Sequence, residues 1–167
     1  METKATDYNT IIDETDKKIL EAMFDIKDTN LQSLADRVGI SKSTVHNRLK
    51  KMRDANFLQG IIPIINKDYV DNQITAISLI KAKYGPEYAE EVGKRISKIK
   101  GVWAVYFVLG INDFVVLIRT KTKSELEQIV NELSKTEGVE RSDTTIALKI
   151  IKEDVGESLK YASVGNE

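Results

Sequence analysis

The chain has 167 residues, with 25 Lys and Arg against 26 Asp and Glu, a single His and no Cys. This length fits one domain or two small ones, and the composition excludes disulfides, Cys-based zinc sites and a multi-His metal centre within one chain. No apolar run approaches the ~18 residues of a membrane helix, and residues 1–10 are polar and acidic, unlike a secretory signal. We therefore expect a cytoplasmic protein with neither a membrane association nor a cofactor.

The charge is unevenly distributed along the chain. Residues 1–37 carry a net charge of −4, residues 38–53 carry +5 without a single acid, and residues 54–167 carry −2. A basic block in a near-neutral chain is typical of a surface that meets phosphate. Taken alone, these five charges also fit a solvated helix face, so the neighbouring pattern has to decide.

Three helices are predicted before residue 60. Apolar residues at helical spacing predict helices over Asp13–Phe24 and Leu31–Val38, and a third that follows the N-cap Ser41 and ends near Asn56. Gly39, which tolerates a positive φ, breaks the chain between the second and third helices. Two helices joined by a Gly-containing turn, the second one basic, form a helix-turn-helix arrangement, with an ordinary three-helix bundle as the alternative.

The basic third helix carries two kinds of candidate DNA contact. The start of such a helix meets base edges in the major groove, where Arg48 is predicted to bind guanine and Asn47 adenine. Other side chains predicted to be exposed at this start are Lys42, Ser43, Thr44 and His46. Phosphate contacts, which position the protein without specifying sequence, are predicted for Ser41, Lys42, Lys50, Lys51 and Arg53.

The chain beyond residue 60 predicts a second, α+β domain. Residues 60–65 are apolar and contain Pro63, which favours an edge or linker strand. Two β-α-β units follow, with strands at 74–83, 102–109, 114–120 and from 139 to about 151, and with Thr122 and Glu125 as a capping box for the second helix. Two such units in succession predict a ferredoxin-like βαββαβ sandwich, whose four-stranded antiparallel sheet has both helices on one face.

The other face of this sheet has no predicted cover within the chain. Residues 102–109 and 114–118 are almost wholly apolar, without the alternation that a solvent-facing side would require. Large exposed apolar surfaces mark association sites, so we expect a homodimer. A dimer would present two reader helices to double-stranded DNA, with two-fold related half-sites about 34 Å apart.

Several short motifs occur in a characteristic order: IDETDKKIL at 12–20, LA at 34–35, VGIS at 38–41, STV at 43–45 and RLKKM at 48–52. A Gly-x-x-Asp turn at 110–113 precedes an apolar strand. Together they resemble the Lrp/AsnC transcription regulators, over roughly residues 11–152. Asn112, where the family often has an aromatic residue, and Asn56, where Gly is usual, depart from its pattern.

The resemblance implies a sequence-specific DNA-binding regulator that responds to a small effector, usually an amino acid. It implies dimers that pair through their sheet faces and assemble further into octamers. The effector is expected at the turn formed by Gly110, Ile111, Asn112 and Asp113, where Asp113 would pair with an α-ammonium group, although the same residues also fit an ordinary hairpin. The implied domains are an extension (1–10), a helix-turn-helix domain (11–59), a linker with a bridging strand (60–73), an effector-binding and oligomerisation domain (74–152) and a tail (153–167) that is disordered or a small addition.

Two other functions remain as alternatives. The sirohaem decarboxylases look like this family, but acid-base chemistry favours a His in the second domain, and the chain's single His, His46, falls in the predicted recognition helix. An amino-acid sensor without DNA binding would not need the intact helix-turn-helix pattern. We therefore expect a regulator that is not an enzyme.

Overall fold

The computed structural model describes residues 12–27, 29–65, 73–85 and 87–164, with the side chains of 162–164 excepted. The chain divides into two compact units, residues 1–63 with 152–167 and residues 64–151. The predicted extension at 1–10 and part of the predicted linker, 66–72, lie outside the described residues.

The first unit contains the three predicted helices, α1 (Glu14–Ile26), α2 (Leu31–Val38) and α3 (Lys42–Asp54). Each begins after a residue whose side chain accepts backbone N–H groups of the first turn, namely Asp13, Asn30 and Ser41. The apolar stripes predicted from the spacing meet in one core, which includes Ile19, Leu34, Val45, Leu49 and Met52. This core fixes which face of α3 is turned away from the other helices.

The turn between α2 and α3 depends on Gly39. Its φ of 74° is left-handed, and the backbone N–H groups of Gly39 and Ile40 both donate to the Ala35 carbonyl oxygen, at 2.9 and 3.1 Å. A side chain added at Gly39 would meet open space, so glycine is favoured by the backbone conformation and not by crowding. Asn56 takes the predicted left-handed conformation after α3, with a φ of 56°.

The second unit is a four-stranded antiparallel sheet with two helices. Its elements in chain order are β1 (Ile74–Ala82), α4 (Tyr88–Ile96), β2 (Val102–Phe107), β3 (Phe114–Thr120), α5 (Lys123–Lys135) and β4 (Val139–Ile146). The strand order β2-β3-β1-β4 is that of a ferredoxin-like sandwich and confirms the predicted fold. Strand β4 ends at Ile146, which pairs with Ala76, five residues before the predicted end. One more hydrogen bond follows, from Ala147 N–H to the Thr75 carbonyl, and because β1 begins at Ile74, residues 149–151 have no partner in that strand.

One face of this sheet and the two helices enclose the core of the second unit. Alternate residues of β1 and β3, such as Ile80, Phe114 and Ile118, are buried against Ile96 of α4 and Leu133 of α5. The predicted capping box is present at the start of α5, where Thr122 and Glu125 bond to each other's backbone N–H groups.

One sequence expectation outside these domains differs from the structure. Residues 60–65, the predicted bridging strand, belong to no strand. A strand exists only by pairing with a neighbour, and Pro63 has no N–H to donate to one. The apolar side chains of this segment are exposed, with Ile62 at 81% and Ile64 at 70%.

Within the predicted tail, 153–167, the structure has a helix, which fits the small addition that was one of the two alternatives. Helix α6 (Val155–Val164) belongs to the first unit and packs on α1. Its start is capped by Asp154, whose Oδ1 accepts the backbone N–H of Glu157 at 2.9 Å. In the described parts of the chain, no helix has both the length and the apolar character needed to cross a membrane.

Candidate nucleic-acid interface and ligand-binding region

Helix α3 presents one polar face away from the core. Ser43, His46, Asn47 and Lys50, which follow helical i, i+3, i+4, i+7 spacing, are all exposed. Val45, Leu49 and Met52 on the opposite side are buried. Two turns of helix therefore offer a hydroxyl, an imidazole, an amide and an ammonium group to the outside, all of which can hydrogen-bond to DNA.

The start of α3 is rich in hydroxyl groups. Ser41 Oγ accepts the Thr44 backbone N–H at 3.1 Å and lies 2.9 Å from Ser43 Oγ and 2.7 Å from Thr44 Oγ1. The backbone N–H groups of a helix start attract phosphate, and Lys42 is exposed beside them. Lys51 and Arg53 are exposed nearer the end of the helix.

Arg48 is held by α1 and does not extend outward with its neighbours. Its Nη1 donates to both carboxylate oxygens of Asp13, at 2.7 and 2.6 Å, and to Asp16 Oδ1 at 2.9 Å. Asp16 is fully buried, and Lys51 Nζ lies 3.6 Å from its other oxygen. We call Asp13, Asp16, Arg48 and Lys51 the α1–α3 ion cluster. Buried charges are normally paired, and this cluster provides the pairing for Asp16.

The cluster is built on the start of α1. Asp13 and Asp16 form a capping box, in which each side chain accepts the backbone N–H of the other at 3.0 Å. The hydrogen bond from Arg48 and then that from the Asp16 N–H lower the pKa of Asp13 to about 2, and the same contacts with Asp13 and Asp16 raise the pKa of Arg48. Sequence reasoning missed both acids, although two acids three residues apart before an apolar helix are a recognisable capping signal.

The Gly110–Asp113 turn joins β2 to β3 and has an exposed and a buried part. Leu109 is 96% and Ile111 89% exposed, whereas Asp113 is only 4% exposed. Asp113 Oδ2 accepts the Ala82 backbone N–H at 2.8 Å and lies 3.2 Å from Lys81 Nζ. The hydroxyl of Tyr84, and then Asp113, raise the pKa of Lys81. This carboxylate therefore secures the end of β1, while the apolar side chains of the turn point outward.

The sheet face that carries no helices exposes large apolar side chains. Ile77 and Leu79 of β1 are 40% and 37% exposed, and Trp103 and Tyr106 of β2 are 43% and 53% exposed. The Arg119 guanidinium lies over the Trp103 ring at 5.6 Å. A surface of this kind is expected to be covered by another molecule.

Comparison with known proteins identifies both units. A family model described as winged helix-turn-helix DNA-binding matches residues 12–59, and one described as Lrp/AsnC ligand binding domain matches residues 75–156. The HTH-type transcriptional regulator FL11 of Pyrococcus furiosus is 34% identical over 143 residues, which cover 86% of this chain and 93% of that protein. The chain belongs to the Lrp/AsnC family.

As an Lrp/AsnC member, the protein is a DNA-binding transcriptional regulator with a ligand-binding domain, as the sequence predicted. A solved structure of the feast or famine regulatory protein of M. tuberculosis, complexed with L-methionine, is 26% identical with a TM-score of 0.72, covering 86% of this chain and 96% of that one. The Neisseria meningitidis regulator NMB0573, in complex with L-Met, shares the fold with a TM-score of 0.76 at 21% identity, covering 90% and 99% of the two chains.

Proposed function

We propose that this Lrp/AsnC regulator reads base edges with Ser43, His46 and Asn47, on the exposed face of α3. Ser41, Lys42, Thr44, Lys50 and Arg53 are proposed to bind phosphate around them. Arg48, for which the sequence favoured a guanine contact, is proposed instead to hold α3 against α1, with Lys51 assisting. The observation that carries this division is the three hydrogen bonds from Arg48 to Asp13 and Asp16.

A gel shift against the protein's own upstream region, at two salt concentrations, tests the DNA contacts. Phosphate binding releases counterions, so affinity falls as salt rises, and Lys42→Ala should reduce that dependence by about one unit of slope. Lys98→Ala, an exposed change in the second unit, is the matched control with an unchanged slope. Affinity that is indifferent to salt would refute phosphate binding by α3.

We propose that two copies pair through the open sheet face, and that dimers assemble further. The exposed Leu79, Trp103 and Tyr106 support this pairing, because a second copy offers the same apolar surface in return. Leu79→Lys places a charge in that interface and is expected to yield monomers by light scattering after gel filtration. A wild-type mass of one chain would contradict the dimer, and a mass of two or eight chains would distinguish a dimer from an octamer.

We propose that an amino acid with an apolar side chain is the effector, bound at Gly110, Ile111 and Asn112. Support comes from the two structural neighbours that are complexed with methionine, and from the exposed Leu109 and Ile111 beside Gly110. Asp113, which is engaged with Ala82 and Lys81, is proposed to support the turn and not to bind the α-ammonium group.

Titration calorimetry with each of the twenty amino acids, L-methionine first, tests the effector proposal. Ile111→Asp should abolish binding, because it replaces an apolar contact with a charge. Asp113→Asn should retain it, because the amide oxygen can still accept the Ala82 N–H. Loss of binding in a folded Asp113→Asn protein would favour the original prediction that Asp113 binds the α-ammonium group. Absence of heat with all twenty amino acids would refute an amino-acid effector.

A further inference from the structure

Helix α6 lies at the end of the part of the chain that the family models cover. The ligand-binding match ends at residue 156, whereas α6 spans Val155–Val164. Most of α6 is therefore an addition to the matched domains, and its role has to be inferred from its contacts.

Helix α6 contacts α1 near its own start, around Gly156, and again at Lys160. At the start of α6, the hydrogen bond from the Glu157 backbone N–H and then the positive charge of Lys27, just after α1, lower the pKa of Asp154. Gly156 follows, and a Cβ built there would lie 4.0 Å from the Phe24 ring. That distance is an ordinary van der Waals contact, so α6 passes beside Phe24 at packing distance, and the atom nearest to this Cβ is Asp154 Oδ1, at 3.2 Å.

Lys160 forms the other end of the contact. Its Nζ donates to Asp25 Oδ1 at 2.5 Å and lies 3.9 Å from Glu21 Oε1, so one ammonium group bridges two acids of α1. This hydrogen bond lowers the pKa of Asp25 and raises the pKa of Lys160. All three side chains are partly exposed, so the pairs are individually weak and one charge reversal is enough to oppose docking.

We call the first unit, which carries the DNA-binding helix α3, the reader domain. Because α6 belongs to it, the chain connects the reader domain to the ligand-binding domain twice. Residues 64–151 form the second unit, and the chain segments before and after them, ending at Pro63 and starting at Lys152, both belong to the first unit. A domain joined to its neighbour by one linker is free to adopt many orientations, whereas a second attachment removes much of that freedom.

We propose that α6 is a clamp that fastens the end of the ligand-binding domain to the reader domain through α1, and so narrows the range of half-site spacings that the dimer accepts. This inference rests on the proposed dimeric mode of DNA binding. The clamp contacts α1, which does not carry the basic block, and so leaves the reading face of α3 to the DNA.

The test measures affinity for two half-sites placed one helical turn apart, and for the same half-sites moved by half a turn, or ~5 bp. Wild type should lose at least about tenfold in affinity on that change, since the reader domains cannot follow it. A chain that ends at residue 152 and a Lys160→Glu variant should lose less than about threefold. Asp25→Lys combined with Lys160→Glu reverses the pair and should restore the wild-type loss.

Lys98→Glu, which makes the same charge change on an exposed site of the second unit, is the control and should keep the wild-type profile. Unchanged spacing preference in both folded clamp variants would overturn the proposal. A Lys160→Glu variant that loses affinity equally for every spacing would overturn it as well, because α6 would then support the reader domain alone.

Hydrogen exchange without DNA separates this inference from the proposed function. If α6 docks as described, amides of α1 near Asp25 should exchange several times faster in Lys160→Glu than in wild type or in Lys98→Glu. Equal exchange rates would overturn the clamp even if DNA binding is normal. Absence of DNA binding by wild type, with faster exchange in the variant, would instead refute the mode of DNA binding on which the spacing effect depends.

Discussion

The basic helix α3 and the Gly110–Asp113 turn were both expected from sequence to bind a ligand through a charged residue. In both regions the fold engages that residue. Arg48 donates to Asp13 and Asp16, and Asp113 accepts from Ala82. What remains exposed differs: uncharged and basic polar side chains on α3, apolar side chains at the turn.

The comparison shows that a charge in a binding region has two possible uses. Each charged group here sits beside a potential ligand surface and stabilises the backbone that carries it. In the α3 region the exposed groups then suit DNA, because they hydrogen-bond to base edges and phosphate. At the turn they suit an apolar side chain or another protein surface.

The largest expected effect is that of Arg48→Ala on stability. It leaves the more distant Lys51 as the one basic side chain recorded against the buried Asp16, which otherwise keeps the Asp13 backbone N–H. The first unit should therefore lose about 3 kcal/mol, the lower end for breaking a buried ion pair. Urea unfolding followed by far-UV circular dichroism measures this, and Asn47→Ala, its exposed neighbour, should stay within about 0.5 kcal/mol. Equal stability of Arg48→Ala and wild type would show that Arg48 is available to DNA.

Asp113→Ala should have the next largest effect. It leaves the buried Ala82 N–H without its acceptor, which costs about 2 kcal/mol, while Asp113→Asn should recover much of that loss. The chain's single Trp, Trp103, lies in the second unit, so its fluorescence during urea unfolding reports this unit directly. Full stability of Asp113→Ala would mean that the carboxylate does not support the turn.

Acid should weaken the α3 region through Asp13. Its pKa of about 2 in the folded chain is below the ordinary value, so the stabilisation is fully present above about pH 4. It is lost as the pH falls from 4 to 2, and amounts to roughly 1 kcal/mol, since Asp13 is half exposed and solvent screens the contact. The free energy of unfolding should fall less between pH 5 and pH 2 in Arg48→Ala than in wild type. An equal fall in both proteins would show that the Asp13–Arg48 contact does not cause the pH dependence.

The local features of both regions could be predicted, and the long-range ones could not. Helical spacing placed Val45 and Leu49 in the core, and the hydroxyl and Gly signals located Ser41 and Gly39, because these depend on neighbours in sequence. The partners of Arg48 lie 32 and 35 residues away, and no local pattern links them.

Two segments outside these regions, residues 60–65 and α6, could be predicted only in part, for physical reasons. A strand at 60–65 requires a pairing partner that its own composition cannot supply. Helix α6 did carry a local signal, since Asp154 precedes Glu157 by three residues at the start of an apolar i, i+4 pair, Val155 and Leu159. Its docking on α1 is again a long-range contact, through Lys160 and Asp25.

The central claim is that Asn47 of α3 reads bases while Arg48 holds the helix against α1. It is tested most directly by the base preference of wild type, Asn47→Ala and Arg48→Ala, measured by selection from random DNA. Asn47→Ala should lose preference at one base position, a change of ~1–3 kcal/mol there, with the other positions unchanged. Arg48→Ala should bind more weakly to every sequence and keep the wild-type preference. A folded Arg48→Ala protein that loses preference for guanine at one position, with its overall affinity retained, would contradict the account.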